Sequence, residues 1–453
     1  MIKIYLTDNM CKGRGQVFEQ KAIAPLCDYA NVPISELCRK HKNLLVFPHD
    51  INNSEDNLGG DILFEVEQES DEKVRFITGN VMGFIGVNNI QVDIKSRFDL
   101  GNNNFFLQYM LSKVLSLNLF NLYHSNNEDE LFDILMCLFP HFLRQALSQG
   151  LYREYHRFKY NNENVKGAVD IPRHIMYNCP FNGKVAYSTR EYTIDNDMTQ
   201  LIRHTIEFMK SRKYGNEVLN GNKDIIQNVK IIIDSTPSYS KQTRRRIVNN
   251  NLRLKIHPYY TNYIQLRKLC IQILRMEKMR YGEDENTLSG ILFDGAWLWE
   301  EYVNTLLCNH DFVHPQNKKG TNAIYLFEDN NADGTLSYGR RMYPDFYKDN
   351  IVLDAKYKRL GSYNRVAEVG REDLYQIITY MFRLKSQYGG FICPVNKFGF
   401  NIPSSKIISS DSYVSIFGLQ VCQNATSYDE FCRKMEINES RFIKSIIEFV
   451  SNL

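Results

Sequence analysis

Two aspartates and a lysine lie close together in the second half of the chain, in a pattern that could bind a metal ion. The segment around Asp345 is typical of the end of one strand, and a second strand is predicted to carry Asp354 and Lys356. Because side chains alternate between the faces of a strand, Asp354 and Lys356 point the same way, ~6–7 Å apart. Two carboxylates and an ammonium at one edge of a buried sheet are costly to desolvate unless something binds there. Since hard cations prefer oxygen ligands, we expect a Mg²⁺ site that Mn²⁺ could also fill. The alternative is that both aspartates are ordinary strand-end and turn residues and that the lysine is solvated.

Helical patterns flank these strands and add polar side chains to the same region. Upstream, the segment that begins at Asp294 predicts a helix with Glu300 at the edge of its apolar face. Downstream, a second predicted helix carries Gln376 and Tyr380, which are four residues apart and therefore share a face. Together the elements run Glu helix, Asp strand, Asp-x-Lys strand, Gln-x-x-x-Tyr helix. That order resembles the core of the PD-(D/E)xK nucleases in its RecB-like form, and four elements in sequence are more specific than any one of them.

The rest of the chain narrows the resemblance to the McrC family. Segments similar to that family precede the nuclease-like region; they are Phe84–Val87, Ile90–Ser96, Gly150–Tyr155, Val165–Val169 and Thr193–Asp197. McrC proteins are the nuclease subunits of McrBC-type restriction systems, which act on 5-methylcytosine-containing DNA in defence against phage. They work with McrB, a separate AAA+ GTPase. The chain itself contains no Gly-x-x-x-x-Gly-Lys-Ser/Thr loop, so any nucleotide would be hydrolysed by a partner and not by this chain.

The resemblance implies a role for each residue of the site. Asp345 and Asp354 would bind the metal ion, and Glu300 would complete its coordination directly or through water. The carbonyl oxygen of Ala355 could contribute as a further ligand, as the family suggests. Lys356 would orient the attacking hydroxide and stabilise negative charge at the phosphate.

Three further residues receive weaker assignments. Gln376 and Tyr380 would contact the phosphate or support the metal ligands, although helix packing is the alternative for both. Lys358 would share the face of Lys356 if the strand continues, and it could contact DNA.

A basic stretch, residues 241–280, precedes the nuclease-like region. It contains many arginines and lysines but a single acidic residue, Glu277. We interpret it as a surface that follows DNA phosphates, with Arg244, Arg245 and Arg246 as candidate contacts. The alternative is a solvated helix face that complements acidic neighbours.

Composition limits the broad class of the protein. A chain of 453 residues can form two or three domains, and a net charge of +3 is too small to indicate nucleic-acid binding by itself. The ten cysteines include no Cys-x-x-Cys pair, which favours a reducing cytoplasm over a disulfide framework. Cys308, His310 and His314 match no common zinc spacing, so we assign them structural roles. The amino terminus has no signal-peptide pattern and no apolar run is long enough to span a membrane.

Three domains are expected in an α/β protein. Residues 1–104 predict a β-rich domain that docks a partner, and its acidic run at 65–72 is interpreted as a solvated loop. Residues 105–283 predict a mainly helical middle region, in which Asp195 or Asp197 caps a helix that ends near Lys210. Residues 284–453 predict the PD-(D/E)xK domain, with a mixed central sheet flanked by helices.

The function expected from this pattern is that of a Mg²⁺-dependent DNA endonuclease subunit. Its partners would be a McrB-like AAA+ GTPase whose hydrolysis it stimulates, double-stranded DNA, and a second copy of the chain that cuts the other strand. The alternatives are a stand-alone nuclease that needs no motor, a non-catalytic activator of the GTPase, and an RNA-cutting toxin.

Overall fold

The computed structural model divides into two compact units, which are described separately. It describes residues 2–10, 15–41, 44–48, 60–70, 72–88, 90–100, 104–115, 130–252, 254, 256–279, 288–315, 323–330, 336–397, 400 and 402–451. The first unit comprises Met1–His124 and Gly282–Leu453, and the second comprises Ser125–Tyr281. The second unit lies within the predicted middle region, 105–283, but residues 105–124 belong to the first unit, together with the predicted first and third domains.

The amino-terminal part of the first unit is rich in strands, as predicted, and also contains helices. Its elements are β1 (Ile2–Thr7), β2 (Gln16–Glu19), α1 (Gln20–Cys27), α2 (Ile34–Lys40), β3 (Leu44–Phe47), β4 (Phe64–Ser70), β5 (Lys73–Thr78), β6 (Val81–Val87), β7 (Ile90–Lys95) and α3 (Phe105–Val114). The prediction that the acidic run at 65–72 forms a loop was wrong. Most of it forms β4, which pairs with β5 in a three-stranded sheet of order β2-β5-β4.

The second unit is mainly helical, as predicted. Its elements are α4 (Glu130–Ser148), β8 (Glu154–Asn162), β9 (Ala168–Val169), α5 (Ile171–Asn178), β10 (Val185–Thr193), α6 (Asp197–Lys210), α7 (Lys213–Leu219), α8 (Lys223–Asp234), α9 (Arg244–Leu252) and α10 (Thr261–Met279). The strands form a sheet of order β8-β10-β9. The predicted cap of α6 was wrong by one residue: Asn196 lies between the two candidate aspartates, accepts from the Thr199 amide at 3.2 Å and forms a capping box with that residue.

The chain then returns to the first unit. The remaining elements are β11 (Ser289–Asp294), α11 (Gly295–Leu307), β12 (Ile324–Asn330), β13 (Leu336–Met342), β14 (Phe346–Lys348), β15 (Ile351–Ala355), α12 (Arg371–Leu384), β16 (Tyr388–Val395), β17 (Ser405–Lys406), β18 (Tyr413–Gln420) and α13 (Tyr428–Ser451). Strands β12 and β13 form a separate antiparallel hairpin.

The five-stranded sheet of the amino-terminal part includes β11, a strand that comes after the second unit along the chain. Its order is β1-β7-β6-β11-β3, so β11 inserts between β6 and β3. Two glycines permit the close pairing of β6 and β11: a Cβ at Gly83 or at Gly290 would lie 2.2 Å from a carbonyl oxygen of the other strand. Both glycines have positive φ, which side chains oppose. The return of the chain therefore completes the amino-terminal sheet.

The second five-stranded sheet of the first unit is mixed, as predicted. Its order is β14-β15-β16-β18-β17, in which β15, β16 and β18 run parallel and the two edge strands run antiparallel to their neighbours. Strand β16 is buried throughout, which its apolar sequence predicts for a central parallel strand. Helix α12 packs on β15 and β16, and α13 packs on β18. No helix in the part of the chain that the structure describes is long and apolar enough to span a membrane.

Candidate functional site

The predicted acidic residues lie at neighbouring points of the mixed sheet. Asp345 lies just before β14, not at the end of a preceding strand as expected, because β13 ends at Met342. Asp354 is the fourth residue of β15 and is 1% exposed. The Ala355 amide donates to Asp345 Oδ2 at 2.6 Å, so the backbone of the Asp-x-Lys strand fixes the other aspartate. The Ala355 amide group thus makes a site contact, while its carbonyl was the group expected to do so.

Lys356 connects the aspartates to the following helix. Its Nζ atom lies 2.8 Å from Asp354 Oδ2, which shows that the two side chains share one side as predicted. The same ammonium donates to Gln376 Oε1 at 2.9 Å and lies 3.5 Å from Asp373 Oδ1. With 16% of its side chain exposed, Lys356 is not the solvated surface lysine of the alternative interpretation.

Helix α12 brings Gln376 and Tyr380 to the site, as its predicted periodicity indicated. The Gln376 amide donates to the Tyr380 hydroxyl at 2.9 Å. That hydroxyl in turn donates to the carbonyl oxygen of Tyr343 at 3.3 Å, two residues before Asp345. A continuous chain of polar contacts therefore runs from Asp354 through Lys356 and α12 to the segment that carries Asp345.

Glu300 reaches the same region from α11, whose first turn is capped by Asp294. The Asp294 carboxylate accepts from the Ala296 amide at 2.9 Å. Between Glu300 and Asp345 lies His314, a residue that sequence reasoning had assigned a structural role. Its Nε2 atom is 3.8 Å from Glu300 Oε1, and its Nδ1 atom lies 2.7 Å from the carbonyl oxygen of Asp345.

Two residues that contact this site were not among the predicted site residues. In the sequence, His314 stands out only by its spacing from Cys308 and His310, and that spacing does not predict a contact with Asp345. Asp373 was the second. It lies one turn before Gln376 on α12, so the periodicity that selected Gln376 could have selected it as well.

The charges of the site interact strongly. Burial, followed by the charges of Glu300 and Asp354, raises the pKa of Asp345 well above its ordinary value. Burial alone would lower the pKa of Lys356, but the nearby Asp354 and Asp345 carboxylates outweigh it and raise this pKa. Burial also raises the pKa of Tyr380, to about 12, so that its phenol stays protonated. A divalent cation beside Asp345 would offset its burial and its repulsion by the negative charges of Glu300 and Asp354.

The fit of a divalent cation rests on Asp345 and Asp354. Both supply hard oxygen atoms of the type that Mg²⁺ prefers, and the negative charge of Asp354 helps to raise the pKa of Asp345. Glu300 adds to the same electrostatic field, yet within the described residues no group of three or more His, Cys, Asp or Glu side chains is gathered closely enough to hold a metal ion. The two aspartates therefore fit a cation by donor type and charge, and Glu300 is not gathered with them as a third ligand.

The candidate DNA contacts lie in both units. Arg244, Arg245 and Arg246 begin α9 of the second unit; the first is half-buried, with its guanidinium 5.0 Å from the centre of the Phe208 ring, and the other two are exposed. Lys358 belongs to the first unit and pairs with Asp373 at 2.7 Å, so that its charge is partly balanced within the site.

Comparison with known proteins agrees with this architecture. One solved chain, from a refined half-complex of a tetradecameric assembly of Thermococcus gammatolerans McrB AAA+ hexamers with bound McrC, has 15% identity and a TM-score of 0.50; the alignment covers 98% of this chain and 100% of that one. A chain of the cryo-EM structure of the Thermococcus gammatolerans McrBC complex has 15% identity over 68% of this chain and 87% of that one, but its TM-score of 0.32 is too low to indicate a shared fold. No curated protein matches the sequence.

The family assignment rests on the sequence itself. Residues 77–394, more than half of the chain, match the sequence model described as McrBC 5-methylcytosine restriction system component. This range includes both aspartates and the helix that carries Gln376 and Tyr380. The family expected from the motifs is thereby confirmed, and the chain belongs to the McrBC family of restriction-system components.

Proposed function

We propose that this chain is a Mg²⁺-dependent DNA endonuclease subunit of the PD-(D/E)xK type, activated by a McrB-like AAA+ GTPase. The observation that supports it most directly is the contact of Lys356 with both Asp354 and Gln376, at 2.8 and 2.9 Å. Residues from a strand and from a helix that are distant in sequence thus converge on one buried ammonium. A purely structural lysine would not require two carboxylates of the same charge beside it.

The side chains of the site have distinct tasks in this proposal. Asp345 and Asp354 would hold the Mg²⁺ ion, which when bound would lower the pKa of a water molecule and neutralise charge on the phosphate. Lys356 holds the attacking water and donates hydrogen bonds to the phosphate oxygens. Gln376 orients the Lys356 ammonium, and the Tyr380 hydroxyl orients Gln376 in turn. His314 fixes the backbone of Asp345 through its carbonyl oxygen.

An exposed apolar segment of the second unit supports the need for a protein partner. Between β9 and β10, large apolar side chains face solvent, with exposed fractions of 58–73% for Ile175, Met176 and Phe181. Side chains of this kind, grouped within one short segment, mark interaction sites because their exposure to water is unfavourable. We propose that this segment, called the α5 segment (Ile171–Phe181), contacts the AAA+ GTPase in addition to the docking expected of residues 1–104.

The experiment that tests the proposal measures DNA cleavage with Mg²⁺ by the wild type and by Asp354→Asn, each alone and with the neighbouring gene's AAA+ protein plus GTP. Asp411→Asn is the matched control, because Asp411 is 89% exposed and pairs with a surface lysine, Lys406, at 2.9 Å. We expect cleavage by the wild type and the control in the full mixture, and a loss of about 100-fold or more in Asp354→Asn while GTP hydrolysis persists.

Other outcomes identify the rival functions. Equal cleavage without the AAA+ protein would indicate a stand-alone nuclease, and GTPase stimulation without any cleavage would indicate a non-catalytic activator. Preference for RNA substrates would indicate an RNA-cutting toxin. Cleavage that survives Asp354→Asn would show that the active site lies elsewhere.

A further inference from the structure

A buried arginine from the amino-terminal sheet contacts the segment that follows the Asp-x-Lys strand. Arg97 lies two residues after β7, and Asp8 lies one residue after β1. Because β1 and β7 are parallel, their carboxyl ends meet at one edge of the sheet. There Arg97 Nη1 is 3.3 Å from Asp8 Oδ2, and the side chains are 4% and 0% exposed. Asp8 Oδ1 also accepts a hydrogen bond from the Arg97 amide, so the carboxylate holds both the backbone and the side chain of the arginine.

The guanidinium group of Arg97 also contacts Tyr357, the residue after Lys356. Arg97 Nη2 donates to the carbonyl oxygen of Tyr357, and the guanidinium carbon lies 4.4 Å from the centre of its ring. The Tyr357 hydroxyl shares a hydrogen bond of 2.6 Å with Ser96 Oγ. Two consecutive residues of the amino-terminal part therefore fix both the backbone and the ring of Tyr357, which is 3% exposed.

The backbone is therefore fixed by hydrogen bonds on both sides of Lys356. Its own amide donates to the carbonyl oxygen of Ile392 at 2.8 Å, which extends the pairing of β15 with β16 by one residue. The next carbonyl, that of Tyr357, is held by Arg97. With both neighbouring peptide groups fixed, the direction of the Lys356 Cα–Cβ bond is set, and the side chain starts from a point at which its ammonium reaches Asp354 and Gln376.

We propose that Arg97, held by Asp8, is a positioning residue that sets the place of the Lys356 ammonium by fixing the backbone of Tyr357. This role rests on the proposed nuclease function. Arg97 itself contacts neither Asp345 nor Asp354 in any hydrogen bond or ion pair that the described residues show, so its effect on cleavage passes through Lys356.

The position of Lys356 can be measured without any cleavage assay. Acetylation of lysines by an N-hydroxysuccinimide ester, followed by mass spectrometry, reports how accessible each amine is. In the double variant Asp8→Asn/Arg97→Gln, which removes both charges and leaves neither unpaired, we expect the Lys356 rate to rise by about fivefold or more through local loosening. Lys113, which pairs with Glu439 at 3.3 Å in the same unit, reports whether the fold is intact and should keep its rate. Arg39→Gln, at an exposed position, is the matched control.

The second measurement is a double-mutant cycle of DNA cleavage. It combines Asp8→Asn/Arg97→Gln with Lys356→Ala in the complete system with Mg²⁺, the AAA+ protein and GTP. Asp8→Asn/Arg97→Gln should reduce the single-turnover rate by about 10- to 100-fold in the wild-type background and by less than about twofold when Lys356 is already alanine. The KM for DNA and the stimulated GTPase rate should stay within about twofold of wild type. Ser96→Ala should act in the same direction but more weakly.

The outcomes separate the proposal from the function on which it rests. Unchanged acetylation of Lys356, or a rise that Lys113 matches, would overturn the positioning role, as would equal rate losses in both backgrounds of the cycle. If the wild type cleaves no DNA at all, the proposed function fails, and the acetylation rates alone decide whether Arg97 positions Lys356.

Discussion

Asp93 offers a test of the electrostatics of the amino-terminal sheet, because its carboxyl group is buried in the middle of that sheet. It lies on β7, between β1 and β6, and is 5% exposed. Gln91 Nε2 donates to Asp93 Oδ1 at 3.0 Å, but this bond and the charge of Lys3 do not offset the burial. Burial therefore raises the pKa of Asp93 from its ordinary 3.8 to about 6.

The sign of the effect on stability follows from this direction. A carboxyl group with a raised folded-state pKa favours the folded protein when protonated, so stability declines as the pH rises from 3.8 to about 6 and stays lowered above. A shift of roughly two pKa units corresponds to about 3 kcal/mol. Asp93→Asn keeps an oxygen to accept from Gln91 and removes the charge. The variant should therefore be more stable than wild type by up to about 3 kcal/mol at pH 7.5, and by about 1 kcal/mol at pH 4.5.

Urea unfolding followed by tryptophan fluorescence measures this difference in the relevant unit. The chain has two tryptophans, Trp297 and Trp299, and both lie on α11 of the first unit, which also contains Asp93. Burial raises the pKa of Asp8 to about 6 as well, but Asp8 is present in both proteins and cancels in the comparison. Asp411→Asn, at an exposed position, should show no such gain. An Asp93→Asn protein no more stable than wild type at pH 7.5, or with the same gain at both pH values, would refute the reasoning.

Three further predictions concern the site, the partner and the core. Gln376→Leu should lower the single-turnover cleavage rate by about 10- to 100-fold, because the Lys356 ammonium loses its acceptor on α12; the stimulated GTPase rate, measured in parallel, should not change. Met176→Asp should weaken binding of the AAA+ protein by about tenfold or more in a titration without altering the melting temperature, since the side chain is 73% exposed; equal binding would exclude the α5 segment as the contact. Glu439→Leu should lower the free energy of unfolding by about 2–6 kcal/mol in urea, because two buried tyrosine hydroxyls, at 2.7 and 2.6 Å, lose their shared acceptor; a loss below about 1 kcal/mol would contradict this account.

The elements that carry the candidate site were predictable because each depends on a local pattern. The helical period of α12 placed Gln376 and Tyr380 on one face, and the structure shows them hydrogen-bonded. The alternation of the predicted strand placed Asp354 and Lys356 on one side; Lys356 follows the last residue of β15, and the two side chains form an ion pair. Boundaries were less predictable: Asp345 precedes a strand where a strand end was expected, because the pairing of β14 with β15, a non-local contact, sets where that strand begins.

Short polar segments were harder to interpret from the sequence. The acidic run at 65–72 has the composition of a solvated loop, but most of it forms β4, which pairs with β5 at the edge of a sheet. The predicted cap of α6 was one of the aspartates on either side of Asn196, although asparagine caps helices as well as aspartate does. In both cases composition was compatible with two structures, and hydrogen bonds to neighbouring elements selected one.

What the sequence by itself determined is the family and the order of the elements that bear the carboxylates, the lysine and the glutamine. These follow from residue types at fixed short spacings, which the backbone geometry of strands and helices converts directly into shared faces. Only the tertiary structure decided that β11 completes the amino-terminal sheet, that His314 lies between Glu300 and Asp345, and that Arg97 holds the residue after Lys356. Those contacts join residues far apart in the chain, and no periodicity specifies such pairs, because they arise from the packing of complete sheets and helices against one another.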